Sequence, residues 1–336
     1  KYIAVGYVAE GNNFPILLHS SDGVTWTRSY VSEGFIASIN FTGSAQFEDI
    51  AENDLGFFVV SDDSDLGGFF LENITDALDG TTHVDQTIDF DHIVWVETAN
   101  SNLGGWHAFE SAEEWYHNPN PDPRQGTFAS FALEDDIDDI TESQLGVSVD
   151  IKEAAVGIHN GVTTLVLSTQ RGHILYWPVS NTLPTVVIPE PYTSSISDII
   201  RNESGDGLPT TIEWTGDYEP AESGEKIIIT GVTTQEGNPG QTNQSYNGTY
   251  YIQNNGGIWE LYTDVELTTP WDTSTYWPVN LNTGVITWSH GADIDALHYD
   301  DGVFYIGNDN HQLFRSTTGG ATWTQLGTDE GTADFE

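Results

Sequence analysis

The sequence predicts an all-β fold assembled from repeated strand units, and three observations predict it. Short apolar runs of five or six residues recur along the chain, each bounded by the Gly, Asn or Asp that punctuates hairpins. Helix formers are scarce: Met is absent, while 34 Gly and 13 Pro fall singly or in pairs between the runs. Rings are abundant, with 11 Trp, 14 Tyr and 15 Phe in 336 residues, too much apolar surface for a chain to leave in water. The architecture this implies is a β-propeller of five to seven blades, six being the best count, carrying a small inserted β-module. The first part of the propeller is assigned to residues 1–207, the module to 208–281, and the last blade with ring closure to 282–336.

The first unit runs Lys1-Tyr-Ile-Ala-Val-Gly-Tyr-Val8, then Pro15-Ile-Leu-Leu-His-Ser-Ser-Asp-Gly-Val-Thr-Trp-Thr27. Its counterpart closes the chain: Gly302-Val-Phe-Tyr-Ile-Gly-Asn308, then Gln312-Leu-Phe-Arg-Ser-Thr-Thr-Gly-Gly-Ala-Thr-Trp-Thr324. Both read as strand, turn, strand and a Ser-rich hairpin ending in Thr-Trp. Between them stand Phe47-Glu-Asp-Ile-Ala51, Gly56-Phe-Phe-Val-Val60 and Gly68-Phe-Phe-Leu71; then Asp91-His-Ile-Val-Trp-Val96 and Gly105-Trp-His-Ala-Phe109. Glu153-Ala-Ala-Val-Gly-Ile158, Thr163-Thr-Leu-Val-Leu-Ser168 and His173-Ile-Leu-Tyr-Trp177 make a third group, and Asp293-Ile-Asp-Ala-Leu-His298 opens the last unit. The first unit lacks the acidic strand that opens the others. Residues near Phe335, in Ala333-Asp-Phe-Glu336, are therefore expected to pair alongside residues 2–6 and close the ring.

The two terminal hairpins resemble the Asp-box, or BNR repeat, on Ser20, Asp22, Gly23, Thr25 and Trp26 and on Ser316, Thr318, Gly320, Thr322 and Trp323, Thr318 standing where Asp is usual. The resemblance implies hairpins between the outer two strands of propeller blades. The residue chemistry suits such turns: Ser and Asp bond turn amides, Gly supplies positive φ, and Trp is expected to be buried under its hairpin. The stretch from about Pro209 to Pro278 breaks the rhythm. Its strands Lys226-Ile-Ile-Ile-Thr-Gly-Val232, Asn247-Gly-Thr-Tyr-Tyr-Ile252 and Trp259-Glu-Leu-Tyr-Thr-Asp264 resemble a β-module of marine tailed-bacteriophage virion and tail proteins.

Charge narrows the partners. Asp plus Glu number 52 against eight Lys plus Arg, a net charge of −44. Such a chain has no basic patch for a nucleic-acid backbone or an anionic membrane, and it suits a saline medium. Membrane insertion is not expected, because no run nears the ~20 apolar residues of a span. With no Cys there is neither disulfide nor thiolate chemistry. Met is absent even at position 1, so the sequence is expected to begin inside a longer or processed product.

Candidate chemistry is sparse. The sialidases that share the Asp-box bind the sugar carboxylate with three Arg, yet only Arg28, Arg124, Arg171, Arg201 and Arg315 are present, without an Arg-Ile-Pro signature. Arg28 and Arg315 adjoin the hairpins. The expectation is a non-enzyme with no catalytic residues. Asp62, Asp63 and Asp65, Asp135, Asp136, Asp138 and Asp139, with Asp300, Asp301 and Asp309, offer oxygen ligands that would suit Ca²⁺, although no cofactor is required. The rings Trp106, Trp115, Tyr116, Trp177, Tyr192, Trp259, Trp271, Tyr276 and Trp277 are read as glycan contacts, subunit contacts or plain packing.

These features point to a virion or extracellular structural protein, a tail, fibre or capsid decoration present in multiple copies, that binds host-surface glycan or neighbouring virion subunits. The rivals are a secreted propeller-type glycan hydrolase or lyase, and a cellular assembly factor or secreted adhesin.

Overall fold

The computed structural model describes residues 2–10, 12–33, 35, 45–63, 66–73, 75–84, 90–98, 103–110, 115–131, 151–169, 171–200, 210–215, 223–232, 246–271, 284–289 and 291–328. Strands dominate, and helix is confined to short turns such as Pro123–Gln125 among these residues. Five antiparallel sheets form the blades of a propeller. Blade 1 has three strands, β1 (Tyr2–Glu10), β2 (Asn12–Ser20) and β3 (Thr27–Tyr30). Blade 2 has four: β4 (Phe47–Asn53), β5 (Gly56–Ser61), β6 (Gly68–Leu71) and β7 (His83–Val84). Blade 3 follows as β8 (His92–Val96), β9 (Gly105–Phe109), β10 (Trp115–Asn118) and β11 (Ala129–Ser130), and blade 4 as β12 (Ile151–His159), β13 (Val162–Thr169), β14 (Ile174–Pro178) and β15 (Thr185–Val187).

The chain then leaves the propeller. Strands β16 (Thr193–Ile200), β17 (Thr211–Thr215), β18 (Lys226–Thr230), β19 (Gly248–Asn255), β20 (Ile258–Tyr262) and β21 (Val285–Trp288) close into a barrel in the order β16-β17-β20-β19-β18-β21. It returns as blade 5: β22 (Ile294–Asp300), β23 (Val303–Asn308), β24 (Gln312–Ser316) and β25 (Thr324–Thr328). The blade count is thus five among the described residues, inside the expected range and one below the best count of six. The barrel takes in Thr193–Ile200 and Val285–Trp288, strands on either side of the 208–281 window.

The blades are held by the period-two alternation of their strands, both faces of which are covered. In β5, Val59 turns to the cluster with Leu17 and Phe69 against blade 1, while Phe58 and Val60 turn to Trp106 and Ala108 of blade 3. In β13, Leu165 and Leu167 meet Trp115 and Trp177 with blade 3's Phe109, and Val166 meets Phe304 and Ile306 of blade 5. The barrel keeps its own core of Ile212, Ile227, Ile229, Ile252, Leu261 and Trp288. Hairpin turns use residues that tolerate positive φ: Asn160-Gly161 at 50° and 78°, and Asp301-Gly302 at 42° and 86°.

The loop Asn118-Pro-Asn-Pro-Asp-Pro123 clamps blade 3 to blade 2. The Pro121 carbonyl accepts from Asn53 Nδ2 at 2.7 Å and from Trp106 Nε1 at 3.3 Å, and Arg124 lies over the Phe70 ring while donating to Glu72 and Asp122.

Candidate functional site

Strands β4, β8, β12 and β22 begin the four complete blades and stand side by side. Three of them carry a register shift at the same place, between Phe47 and Asp49, Ile151 and Glu153, and Ile294 and Ala296. Each shift leaves one residue unpaired, Glu48, Lys152 or Asp295, and bulges of this kind re-aim side chains. The result is a girdle of titratable groups across four blades.

Two linked clusters make it up. In the first, the Asp49 carboxylate accepts from the backbone amide of Ile93 in blade 3 at 2.9 Å and from Ile50 at 2.7 Å. His92 of blade 3 places Nδ1 4.0 Å from Asp49 Oδ2 and 3.8 Å from Glu153 Oε2 of blade 4. In the second, Lys152 Nζ of blade 4 lies 2.8 Å from Asp295 and 3.8 Å from Asp293 of blade 5. Asp293 also accepts from the Arg171 amide in blade 4 at 2.8 Å.

Burial governs the protonation. Asp49 is pushed up to about 6, against the pull of its two amide bonds. Glu153 is pushed up to about 8 by burial and by the charge of Asp49. Burial holds His92 below the ordinary imidazole range. Asp309 rises to about 6 through its hydrogen bond to Asp295 and its burial. Desolvation works against the Lys152 ammonium, but Asp295, Asp293 and Asp309 outweigh it and hold its pKa up. Although Asp49 and Glu153 lie deep among the protein's atoms, 33% and 27% of their side-chain surfaces stay open to solvent. Other buried His are structural. His107 pairs its Nε2 with the Leu103 carbonyl, its Nδ1 accepts from Trp115 Nε1 at 2.9 Å, and burial drops its pKa to about 3.

The expected sites divide. In the first hairpin Asp22 Oδ1 accepts from the amides of Val24 and Thr25 at 2.8 and 2.7 Å and from Ser20 Oγ, which holds its pKa at about 2. Ser20 Oγ accepts from Gly23, whose φ is 73°. In the last hairpin Ser316 accepts from the Gly320 amide and Thr318 Oγ1 accepts from Thr322 at 2.8 Å, so a hydroxyl takes the carboxylate's place. Trp323 is half-buried against the cluster between blades 4 and 5. Trp26 is not buried: 42% of it is exposed, although it ends the same kind of turn between the outer two strands of its blade.

Of the three readings of the rings, burial favours plain packing for most of those described. Trp106 and Trp177 are 0% exposed, Trp115 2%, Trp271 7% and Tyr116 9%, all within the cores between blades or in the barrel. Rings without an open face pack; they do not stack on sugar. Trp259 and Tyr192 are half-buried against the barrel core, and Tyr276 and Trp277 lie outside the described residues. Asp62 and Asp63 bond turn amides, Asp62 that of Gln46 at 2.8 Å and Asp63 that of Leu66 at 3.3 Å. Asp65, Asp135, Asp136, Asp138 and Asp139 fall outside the described residues, as does Phe335 with the expected closing strand. Among the described residues no group of three or more His, Asp or Glu could hold a metal ion.

Sequence reasoning quoted the strands of the girdle without singling out its residues. The available signal was an acidic residue at the entry of each blade's first strand: Glu48-Asp49, Asp91 beside His92, Glu153 beside Lys152, and Asp293 with Asp295.

Fold and site together define a five-bladed β-propeller with a closed six-strand barrel inserted between its fourth and fifth blades. No protein-family model matches the chain, and no curated protein sequence does. Among solved structures it is similar to YCF48 from Cyanidioschyzon merolae, at 13% identity and TM-score 0.33 over 93% of this chain and 79% of that one. It is also similar to the Cps50 (Swd1) β-propeller domain from Myceliophteria thermophila, at 9% identity and TM-score 0.32 over 94% and 80%. A third is PorZ, a surface component of the type-IX secretion system of Porphyromonas gingivalis, at 12% identity and TM-score 0.35 over 97% of this chain and 40% of that one.

Proposed function

We propose that the chain is a non-enzymatic scaffold that works by contact with neighbouring protein subunits, as a tail, fibre or decoration protein of a virion displayed in multiple copies. One observation carries the contact reading: blade 1 exposes five large apolar side chains, Tyr2 at 55%, Tyr7 at 48%, Val24 at 83%, Trp26 at 42% and Tyr30 at 52%. The pairing register puts Tyr2 and Tyr30 on one face of that sheet and Tyr7 on the other, and exposed aromatics of this kind are the usual anchors of protein interfaces. Glycan contact is less favoured, since most of the rings first considered for it are buried. The two Ser/Gly turns support the finer Asp-box reading by their hydrogen bonds, and the strand sequences of the barrel support the virion reading.

The girdle fits a scaffold as well. Its carboxylates bond amides and Lys152 between blades, and Asp309 bonds Asp295 within blade 5, which is structural work. A sialidase would need three Arg converging on one pocket. Arg124 is instead bound to Asp122 and Glu72, Arg28 lies against Tyr30 on the first hairpin, and Arg201 is outside the described residues. Electron microscopy of the source particles, with a label directed at this chain, is expected to find it in repeated copies, and a Trp26→Ser, Tyr30→Ser chain is expected to be lost from them. A chain that is absent from particles and that cleaves polysaccharide overturns the reading.

A further inference from the structure

The meeting of Asp49, His92 and Glu153 joins three separate blades at one imidazole nitrogen. One N–H cannot serve two carboxylates, and the distances of 4.0 and 3.8 Å bring both beside the ring while leaving neither hydrogen-bonded to it. The nearby ammonium, Lys152, is engaged by Asp295 at 2.8 Å in the opposite direction around the ring, toward blade 5. The groups facing the trio are Glu48 on β4, Asp91 just before β8, Lys152 on β12 and Asp295 on β22, so acids outnumber the single cation. Two carboxylates brought together in such a setting are not both ionised without cost.

We propose that Asp49, His92 and Glu153 form a proton-controlled latch, which holds the first strands of blades 2, 3 and 4 together while Glu153 keeps its proton and loosens when that proton is lost. The raised pKa of Glu153, about 8, sets the upper end of the working range. Asp49 is half-titrated near 6 and an exposed His92 gives up its charge near 6.5, so the interval from about pH 7 to 8 belongs to Glu153 within the trio.

Linkage fixes the sign. The closed latch binds a proton that the open state, with an ordinary carboxylate, has released. The opening equilibrium therefore rises with pH, by up to about tenfold per pH unit, and levels off above about pH 8. Hydrogen exchange followed by mass spectrometry, on peptides covering β4, β8 and β12 and corrected for intrinsic amide rates, reads this opening. The expected result is a rise across about pH 7–8 in the natural chain and a flat response in Glu153→Gln, whose amide stands in for the protonated acid. Equal slopes in the two chains overturn the latch. If Glu153→Gln does not fold, carboxyl carbon NMR of the natural chain decides: a Glu153 titration near 8 supports the latch, and one near the ordinary value of 4.5 overturns it.

Discussion

Gly157 of blade 4 sits against Tyr299 and Phe304 of blade 5, and replacing it with Ala tests whether that interface is packed as described. A Cβ built there lies 2.4 Å from two ring carbons of Tyr299 and 2.6 Å from Phe304 Cζ, distances that real Cβ atoms do not adopt. Neither ring has room to retreat. Phe304 is 0% exposed, and Tyr299 is pinned by a hydrogen bond from the Ile158 amide and another to the Ile158 carbonyl, each 2.9 Å. Overpacking costs about 1–3 kcal/mol, and losing one or both Tyr299 hydrogen bonds adds about 1 kcal/mol each, so Gly157→Ala is expected to cost about 3 kcal/mol. Urea denaturation followed by intrinsic tryptophan fluorescence, which includes Trp323 in the same cluster, measures it. The cost should shrink by about 1 kcal/mol or more in a Tyr299→Leu background, because the obstructing ring is gone. A change below about 0.5 kcal/mol, or the same change with and without Tyr299, refutes the packing argument.

Burial separates two tryptophans that the sequence treats alike. Trp106→Ala is expected to cost about 3–5 kcal/mol as a core truncation, whereas Trp26→Ala, at a 42% exposed ring, should stay within about 1 kcal/mol; a costly Trp26→Ala would show an anchoring role that the geometry lacks. The melting temperature should fall as pH rises from about 6.5 to 8, where Glu153 keeps a proton when folded that the unfolded chain gives up, whereas at lower pH His107 and His173, neutral when folded and charged when unfolded, oppose Asp49 and Asp309; a profile rising over about pH 6.5–8 contradicts this. Asp22 acts in the opposite sense. Its lowered pKa makes the first hairpin lose stability as pH falls from 3.8 through about 2, detectable as faster amide exchange at Val24 and Thr25, and Asp22→Asn should abolish that dependence. Finally, the −44 charge predicts a higher melting temperature in about 1 M NaCl than in low salt, and equal values would mean that self-repulsion is negligible.

The propeller strands were legible because their signal is local. A run such as Gly56-Phe-Phe-Val-Val60 declares a strand covered on both faces whichever blade it meets, and Ser20-Ser-Asp-Gly23 declares its turn by the chemistry of four residues. The barrel was only partly legible. Its closure pairs Thr193–Ser195 with Val285–Thr287, about ninety residues away, and nothing local in either segment announces the other. Ring burial was open for a related reason. Trp106 and Trp177 stand inside strands of blades sealed on two sides, where any large ring becomes core, but which rings meet a neighbouring blade is not a local property: Trp26 and Trp323 end similar turns, and only Trp323 packs on the cluster between blades 4 and 5. The girdle was illegible as a site because its members are single acids spaced a blade apart, and only the propeller's rotation brings them together.

The shortage of cations gives those acids their character. The sequence has eight Lys and Arg; of those described, Arg124 ties blade 3 to Glu72 of blade 2, and Lys152 ties blade 4 to Asp295 of blade 5. At the meeting of blades 2, 3 and 4 the same acidic strand entries converge on His92, whose burial opposes the positive form. The fold has two remaining ways to keep carboxylates there. One is amide donation, which Asp49 receives from Ile50 and from Ile93 in the next blade; the other is retention of a proton, which falls to Glu153. A chain rich in acids and short of bases thus acquires titration near neutrality where its blades converge, without any His having to carry charge.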